Sequence, residues 1–356
     1  MRIIMASRES DWRREAENSI LLKSVSHWRE KPERWFRGSY DRLPETVRVN
    51  PMSEEKDWVE SWLSGIGANR IPWFSGPGSA WEMPFERGSA EEEVKSLMSA
   101  LHETGRITRQ EAVSMLPVLA LDPTPGQIIL DLCASPGSKT TQICYHLGDS
   151  GAVVANEVIS GRVNTLVTNV QRHASRTVLV VQHDGRHIPR VPGSGFDGVL
   201  VDVPCTGSGT TRKNPDVWGK WRPSSGRSLH SLQYDLLTRA IELTKPGGRV
   251  VYSTCSLDPI ENEAVVARVL AGGKVRVVPR GDSLSGVPSN PGMTNWPLLN
   301  DKGELDNESK SEEYLIPTKD MAVSSQLNEC LRVWNDEIGG GGFFLAVLER
   351  ILEDDD

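Results

Sequence analysis

Residues 128–142 read IILDLCASPGSKTTQ, and the change of pattern inside them decides the fold. The segment opens as an apolar run of strand length, passes a Pro-Gly turn at Pro136-Gly137, and then turns helical near Ser138. A strand running through such a turn into a helix brings backbone N–H groups and a helix N-terminus close to a ligand. GSKTT looks like the end of a phosphate loop. That motif needs Gly immediately before Lys and another Gly five residues earlier. Here Ser138 precedes Lys139 and the earlier glycine is absent, so the phosphate-loop reading fails.

Outward from this stretch the same alternation repeats. Apolar runs AVVANE (152–157), TVLVVQHD (177–184), GVLVDVPC (198–205) and GRVVYSTC (248–255) are separated by helix-period segments, with Val163, Leu166, Val167 and Val170 on one helix and Leu229, Leu232, Leu236 and Leu243 on another. Continuous Val/Ile/Leu runs suit strands buried on both faces, and strand–helix alternation predicts a parallel α/β sheet. After a helix around 261–270, KVRVVP (274–279) and GGFFLAVLER (341–350) fit an antiparallel finish. The polar, weakly patterned residues between them, about 280–340, read as an insertion.

The first third has another texture. Seven of the 11 tryptophans fall between Trp12 and Trp81, among Pro, Gly and charged residues. A strand is predicted at Thr46–Val49 and a helix carrying Val94, Leu97, Met98 and Leu101. Residues 1–105 are expected to form a small α+β appendage domain, most of its tryptophans filling its core.

Composition bounds the rest. The 356 residues are 38% hydrophobic with a net charge of −8, in the range of globular proteins. A nucleic-acid binder is usually basic, so any phosphate contact must come from a local patch. The five cysteines contain no CxxC pair, which argues against a zinc site or a disulfide framework. The N-terminus turns charged before an apolar signal region forms, and no run approaches the length of a membrane span. The expectation is a reduced, cytoplasmic, soluble protein with no metal and no membrane association.

In open α/β sheets ligands bind beyond the carboxyl ends of the strands. All five central runs end in polar or reactive groups: Asp131 and Cys133, Glu157, Asp184, Asp202 with Cys205, and Cys255. Glu157 lies 20 residues after Gly137, where such folds place the carboxylate that grips ribose hydroxyls. NAD and S-adenosylmethionine fit that feature equally, although GxGxxG is missing. The two cysteines VDVPC and YSTC, 50 residues apart at neighbouring strand ends, suit methylation of cytosine carbon 5. That carbon is a poor nucleophile. A thiolate adding at carbon 6 creates an enamine-like species, carbon 5 then takes the methyl group, and proton loss expels the thiol. Asp202 is placed to hydrogen-bond the base edge and help protonate N3. Spacing alone leaves open which cysteine attacks. Cys133 and Cys144 read as small buried hydrophobes.

Taken together, ETGRITRQEAVSMLP (103–117), LDLCASPGSKTTQ, LVDVPCTGSGTTRKNPDVWGKW, GGRVVYSTCSLDPIENEAVV and the terminal GGFFLAVLE resemble the Sun-domain family of RNA (cytosine-5)-methyltransferases, most closely the branch acting on tRNA. The resemblance implies a Rossmann-like S-adenosylmethionine-dependent methyltransferase fold, with a mixed seven-stranded sheet in residues 106–356 and an N-terminal domain that is a candidate for RNA recognition. It implies that Cys255 is the nucleophile and that Cys205 assists elimination, whereas DNA cytosine-5 methyltransferases attack with the PC cysteine. It further implies that Cys133, Ala134, Ser135, Pro136, Gly137, Ser138 and Lys139 line the cofactor loop. Glu157 would hold the ribose in place of the family's commoner Asp, Asp184 would sit near the adenine, and Asp202 and Lys139 would flank the target base. The expected cofactor is S-adenosyl-L-methionine and the expected partner RNA, tRNA before rRNA, bound by a monomer.

A local basic stretch is the candidate RNA contact. Arg212, Lys213, Lys220, Arg222 and Arg227 stand against the single acid Asp216, with Trp218 and Trp221 among them. Basic residues with interleaved aromatics suit phosphate contact and base stacking. Other readings fit less well. A methyltransferase acting on DNA or on a protein side chain has no need of the TC cysteine. A noncatalytic RNA-binding scaffold of the same fold has no reason to keep Cys205, Cys255, Asp202 and Lys139 together.

Overall fold

The computed structural model describes residues 13–148, 150–173, 176–279, 281–306 and 312–351. Trp12 and the N-terminal segment before it lie outside the described residues. Two sheets carry the chain. The first is antiparallel and is built from β1 (Pro44–Val49), β2 (Asn69–Arg70), β3 (Ser79–Glu86) and β4 (Ile107–Arg109), in the order β2-β3-β1-β4. Its hydrogen bonding therefore extends to Arg109.

The second sheet contains β5 (Ile128–Asp131), β6 (Ala152–Asn156), β7 (Val178–Val181), β8 (Phe196–Asp202), β9 (Thr244–Thr254), β10 (Val275–Val277), β11 (Asn290–Pro291), β12 (Leu331–Val333) and β13 (Phe343–Arg350). The order runs β11-β12-β13-β9-β8-β5-β6-β7, with β10 also on β13. Strands β5 to β9 pair in parallel, and β13 is antiparallel to β9, β10 and β12. All seven strands expected from the sequence are present, including the antiparallel finish. The fold is a Rossmann-like methyltransferase fold. The short strands β11 and β12 extend the sheet from within the weakly patterned segment. That segment also buries Trp296, Leu315, Val323 and Leu327 in the core, residues too widely spaced to show a period.

Alternate residues of the central strands enter opposite faces. Leu130, Val199, Val201, Val250 and Tyr252 pack with the helices Pro223–Leu243 and Glu263–Leu270, while Ile129, Val153, Leu200 and Val251 pack with the helices Leu116–Leu121 and Ser138–Leu147. Burial on both faces is why these runs are continuous rather than alternating. The chain winds from β5 to one side through β6 and β7, then crosses to β8 and β9 on the other. The crevice at that reversal brings the loop after β5 beside the end of β8.

The first sheet is locked onto this crevice. Arg48, buried on β1, donates from Nε to Gln110 Oε1 at 2.5 Å and from Nη2 to the Ser138 carbonyl at 2.9 Å, beneath the Tyr145 ring. Burial pulls its pKa down to about 10. Gly105 sits so close to Arg172 that an added Cβ would lie 2.0 Å from the Arg172 carbonyl oxygen. The tryptophans correct one expectation. Trp81 fills the core of the first sheet, but Trp28 and Trp35 pack against Trp218 and Trp221, and Trp58 is 53% exposed. The aromatic rings thus seal a seam between the two halves of the chain.

Candidate active site

The loop 133–138 leaves β5 and feeds the helix Ser138–Leu147. Gly137 takes φ 108°, and a Cβ there would meet Leu166 at 3.0 Å, so this turn needs glycine. The next helix, Ser160–Arg172, clamps the loop: Arg162 Nη2 donates to the Ser135 carbonyl at 2.8 Å and Asn169 Nδ2 to that of Pro136 at 2.6 Å. The Ala134 N–H donates to the Asn156 carbonyl at 2.8 Å. Cys133 faces inward, and burial pushes its thiol pKa well up, as suits a structural rather than a reactive sulfur.

Glu157, just past β6, is 3% exposed. Its carboxylate accepts the Ile159 N–H at 2.9 Å and pairs with Arg162 at 3.3 Å, with the exposed apolar Val158 and Ile159 next in the chain. Asp184 is partly exposed beyond β7 and is gripped by Arg186 at 2.6 Å, which lowers its pKa to about 2. It is not among the residues lining the cavity that holds Cys255.

That cavity, about 490 Å³, opens above the loop. Its walls include Gly137 and Lys139 at the start of the helix after β5, Asp202 and Cys255 at the ends of β8 and β9, and Glu45, Arg109 and Gln110 in or next to the first sheet. Lys139 Nζ donates to Asp202 Oδ2 and to Ser114 Oγ, both at 2.8 Å, and Ser253 Oγ donates to Asp202 Oδ1 at 2.7 Å. Burial is the largest single influence on the Lys139 ammonium and works against it, but Asp202, with Asp131 and Cys255 adding to it, turns the balance and the pKa rises.

The Sγ atoms of Cys205 and Cys255 lie 3.1 Å apart, as free thiols. The Cys205 pKa is driven up by its hydrogen bond to Cys255, then by burial. The loop after Cys205 is tied down by main chain: the Gly209 N–H donates to the Cys255 carbonyl at 2.9 Å, and the Gly342 N–H to that of Gly209 at 2.8 Å. A Cβ on Gly209 would come within 2.3 Å of the Gly342 carbonyl oxygen.

The basic stretch divides in the structure. Lys213 is exposed and, with Arg87, lines both the Cys255 cavity and an adjoining one walled by Tyr40, Arg42 and Arg212. Arg212 donates to the carbonyls of Asp41, Arg42 and Gly340, Lys220 pairs with Asp216, and Arg222 bonds the carbonyls of Gly219 and Trp221. Trp218 and Trp221 are only 1% and 3% exposed. The expected stacking of bases on them is therefore corrected: apolar burial against Trp28 and Trp35 holds both rings inside. Sequence reasoning missed Ser114, Arg162 and Ser253; Ser114 and Ser253 lie inside the quoted motif stretches, but nothing in their spacing shows that they reach Lys139 and Asp202.

A family model described as 16S rRNA methyltransferase RsmB/F matches residues 118–349, most of the chain. The chain belongs to this family. Among curated relatives, the multisite-specific tRNA:(cytosine-C(5))-methyltransferase of Saccharomyces cerevisiae is 41% identical over 268 residues, 69% of this chain and 39% of the relative. The tRNA (cytosine(34)-C(5))-methyltransferase of Drosophila melanogaster is 40% identical over 277 residues, 69% of this chain and 37% of the relative. This chain thus spans less than half the length of these two relatives. A solved methyltransferase homolog protein from Pyrococcus horikoshii superimposes with a TM-score of 0.69 at 27% identity, covering 92% of this chain and 93% of that one. In this chain Pro204-Cys205 and Thr254-Cys255 stand at the ends of β8 and β9. Among the described residues no group of His, Cys, Asp and Glu could hold a metal ion, and no helix is long and apolar enough to cross a membrane.

Proposed function

We propose that this chain methylates carbon 5 of a cytosine in RNA, tRNA in the first instance, using S-adenosyl-L-methionine and a covalent Cys255–carbon 6 adduct. The observation that carries the reading is the pair of sulfurs 3.1 Å apart, with Cys255 and the Lys139–Asp202 ion pair lining one cavity. The cofactor's fit is supported by the glycine turn at Gly137, by the buried Glu157 carboxylate at the tip of β6, and by Asp131 Oδ1, buried with no hydrogen-bond partner behind the loop. Residues 133–138 would hold the amino-acid end of the cofactor, Glu157 its ribose, and Asp184 would face its adenine. Bound there, S-adenosylmethionine supplies an electrophilic methyl group.

The protein's own residues do the rest. Cys255 Sγ adds to carbon 6 of the target cytosine as its thiol proton leaves, and Asp202, oriented by Ser253 and Lys139, delivers a proton to N3 as charge develops on the ring. Lys139 lines the same cavity as Cys255, with its ammonium held on Asp202. After methylation N3 returns its proton to Asp202, a water molecule takes the carbon-5 proton as general base, the ring double bond re-forms and Cys255 is expelled. Cys205, held as a thiol beside it, donates a hydrogen bond to the departing sulfur. The target base must leave its stack to reach this cavity, at a cost of a few kcal/mol that is least in a loop.

The test is label transfer from S-adenosylmethionine to unmodified tRNA transcripts, followed by bisulfite sequencing. Protected cytosines are expected; no label in tRNA or in 16S rRNA overturns the reading. The family model's description favours a second substrate, 16S rRNA, and label in that RNA alone would move the assignment to it.

The RNA path is read along the cleft shared by Arg87 and Lys213, with Tyr40, Asp41, Arg42 and Leu43 contributing one wall. Replacing both with Glu is expected to weaken RNA binding about tenfold or more at moderate salt and to reduce the slope of log affinity against log salt by about one per lost phosphate contact. Anisotropy titrations at several salt concentrations read this directly, and cofactor affinity should not change.

A further inference from the structure

Glu261 lies in the DPIEN turn after β9 and is fully buried. Its carboxylate accepts four hydrogen bonds. Oε1 takes the Thr206 N–H at 2.8 Å and Gln233 Nε2 at 3.0 Å, and Oε2 takes the hydroxyls of Thr206 and Ser256. Four donors match the acceptor capacity of an ionised carboxylate, which is what makes its burial tolerable. The identity of the donors is the informative part. Thr206 directly follows Cys205, and Ser256 directly follows Cys255. One carboxylate therefore grips the residue after each active-site cysteine, on two loops from different strands.

The geometry points to Glu261 as the positioning residue that sets the separation and orientation of the two sulfurs, an inference that rests on the covalent reaction proposed above. Glu261 touches no reacting atom and acts through the backbone of both loops. Its negative charge also adds to the upward push on the Cys205 thiol, after the hydrogen bond to Cys255 and burial, and so helps keep Cys205 a donor toward Cys255. A glutamine has the same shape, but its NH2 group would have to donate to the Thr206 and Ser256 hydroxyls, which already accept from Trp221 Nε1 and the Asp258 N–H, so the two charge-assisted hydroxyl bonds of the clamp are lost. Misplacing reacting groups by about 1 Å costs about a hundredfold in rate.

The test uses the full chain with Glu261→Gln. Cross-linking of Cys205 to Cys255 by diamide, followed by mass spectrometry, reads sulfur separation without RNA or cofactor. Cross-linking is expected to slow about tenfold or more, and single-turnover methylation of tRNA transcripts to fall about a hundredfold, with cofactor affinity by calorimetry within about threefold. Cross-linking and turnover at the native rates in a folded variant overturn the proposal. If Glu261→Gln does not fold, the double variant Thr206→Val, Ser256→Ala keeps the carboxylate and removes two of its donors. Slower cross-linking there supports the positioning role, and native cross-linking overturns it. Slower cross-linking in a chain whose native form transfers no methyl group leaves the positioning role intact and removes the proposed reaction instead.

Discussion

Cys255→Ala is expected to abolish methyl transfer, a loss of more than about 10⁴-fold by comparison with removal of other covalent nucleophiles, while cofactor affinity stays within about threefold. The expectation follows from position. Cys255 ends just past β9 on the cavity wall, whereas the loop 133–138 and Glu157 lie beyond β5 and β6. Removing the sulfur deletes the atom that bonds carbon 6 and leaves the cofactor's contacts in place. Alanine removes only a side-chain atom at the edge of a cavity, so the core is spared. Stopped-time label transfer with tRNA transcripts, beside calorimetry with S-adenosylmethionine, separates the two effects. Full activity in this variant would end the assignment of Cys255 as nucleophile.

Cys205→Ala is expected to stall the reaction at the opposite end. Attack by Cys255 and methylation proceed, but the departing sulfur loses the donor 3.1 Å away. Elimination then slows by about two to four orders of magnitude, the usual scale for losing a positioned proton donor. The visible result is a protein–RNA band that survives denaturing electrophoresis and disappears on nuclease treatment. In the native chain that band should be faint. A band in Cys255→Ala and none in Cys205→Ala would reverse the two roles. The double substitution should form no band at all, because the adduct needs one sulfur before the other has anything to release.

Much of this site was legible in the chain because short-range chemistry wrote it there. The apolar run 128–132, the Pro-Gly turn and the helix from Ser138 follow from local periodicity and backbone freedom. Asp202, Cys205 and Cys255 stand at strand ends, where an α/β sheet must present its reactive groups, and Lys139 stands in the first turn of the helix that follows β5. The basic stretch after Cys205 was legible only as composition. Its lysines and arginines alternate with tryptophans, but periodicity could not tell which of them faced outward. The structure turns Trp218 and Trp221 inward because Trp28 and Trp35, nearly 200 residues earlier, supply apolar surface for them.

What the sequence by itself determined is the seven principal strands of the second sheet with the helices between them, the two cysteines at strand ends, and the strand–turn–helix loop after β5. Each depends on neighbours within a few residues, and hydrogen bonding and side-chain alternation act at that range. Only the tertiary structure decided that the sulfurs meet, that Ser114 and Ser253 orient Lys139 and Asp202, and that Arg48 docks the first sheet over the cavity. These contacts join segments 25 to 90 residues apart. They form only when burial of the central strands on both faces brings those segments together, and a buried charge such as Arg48 or Glu261 is then held wherever enough donors or acceptors surround it.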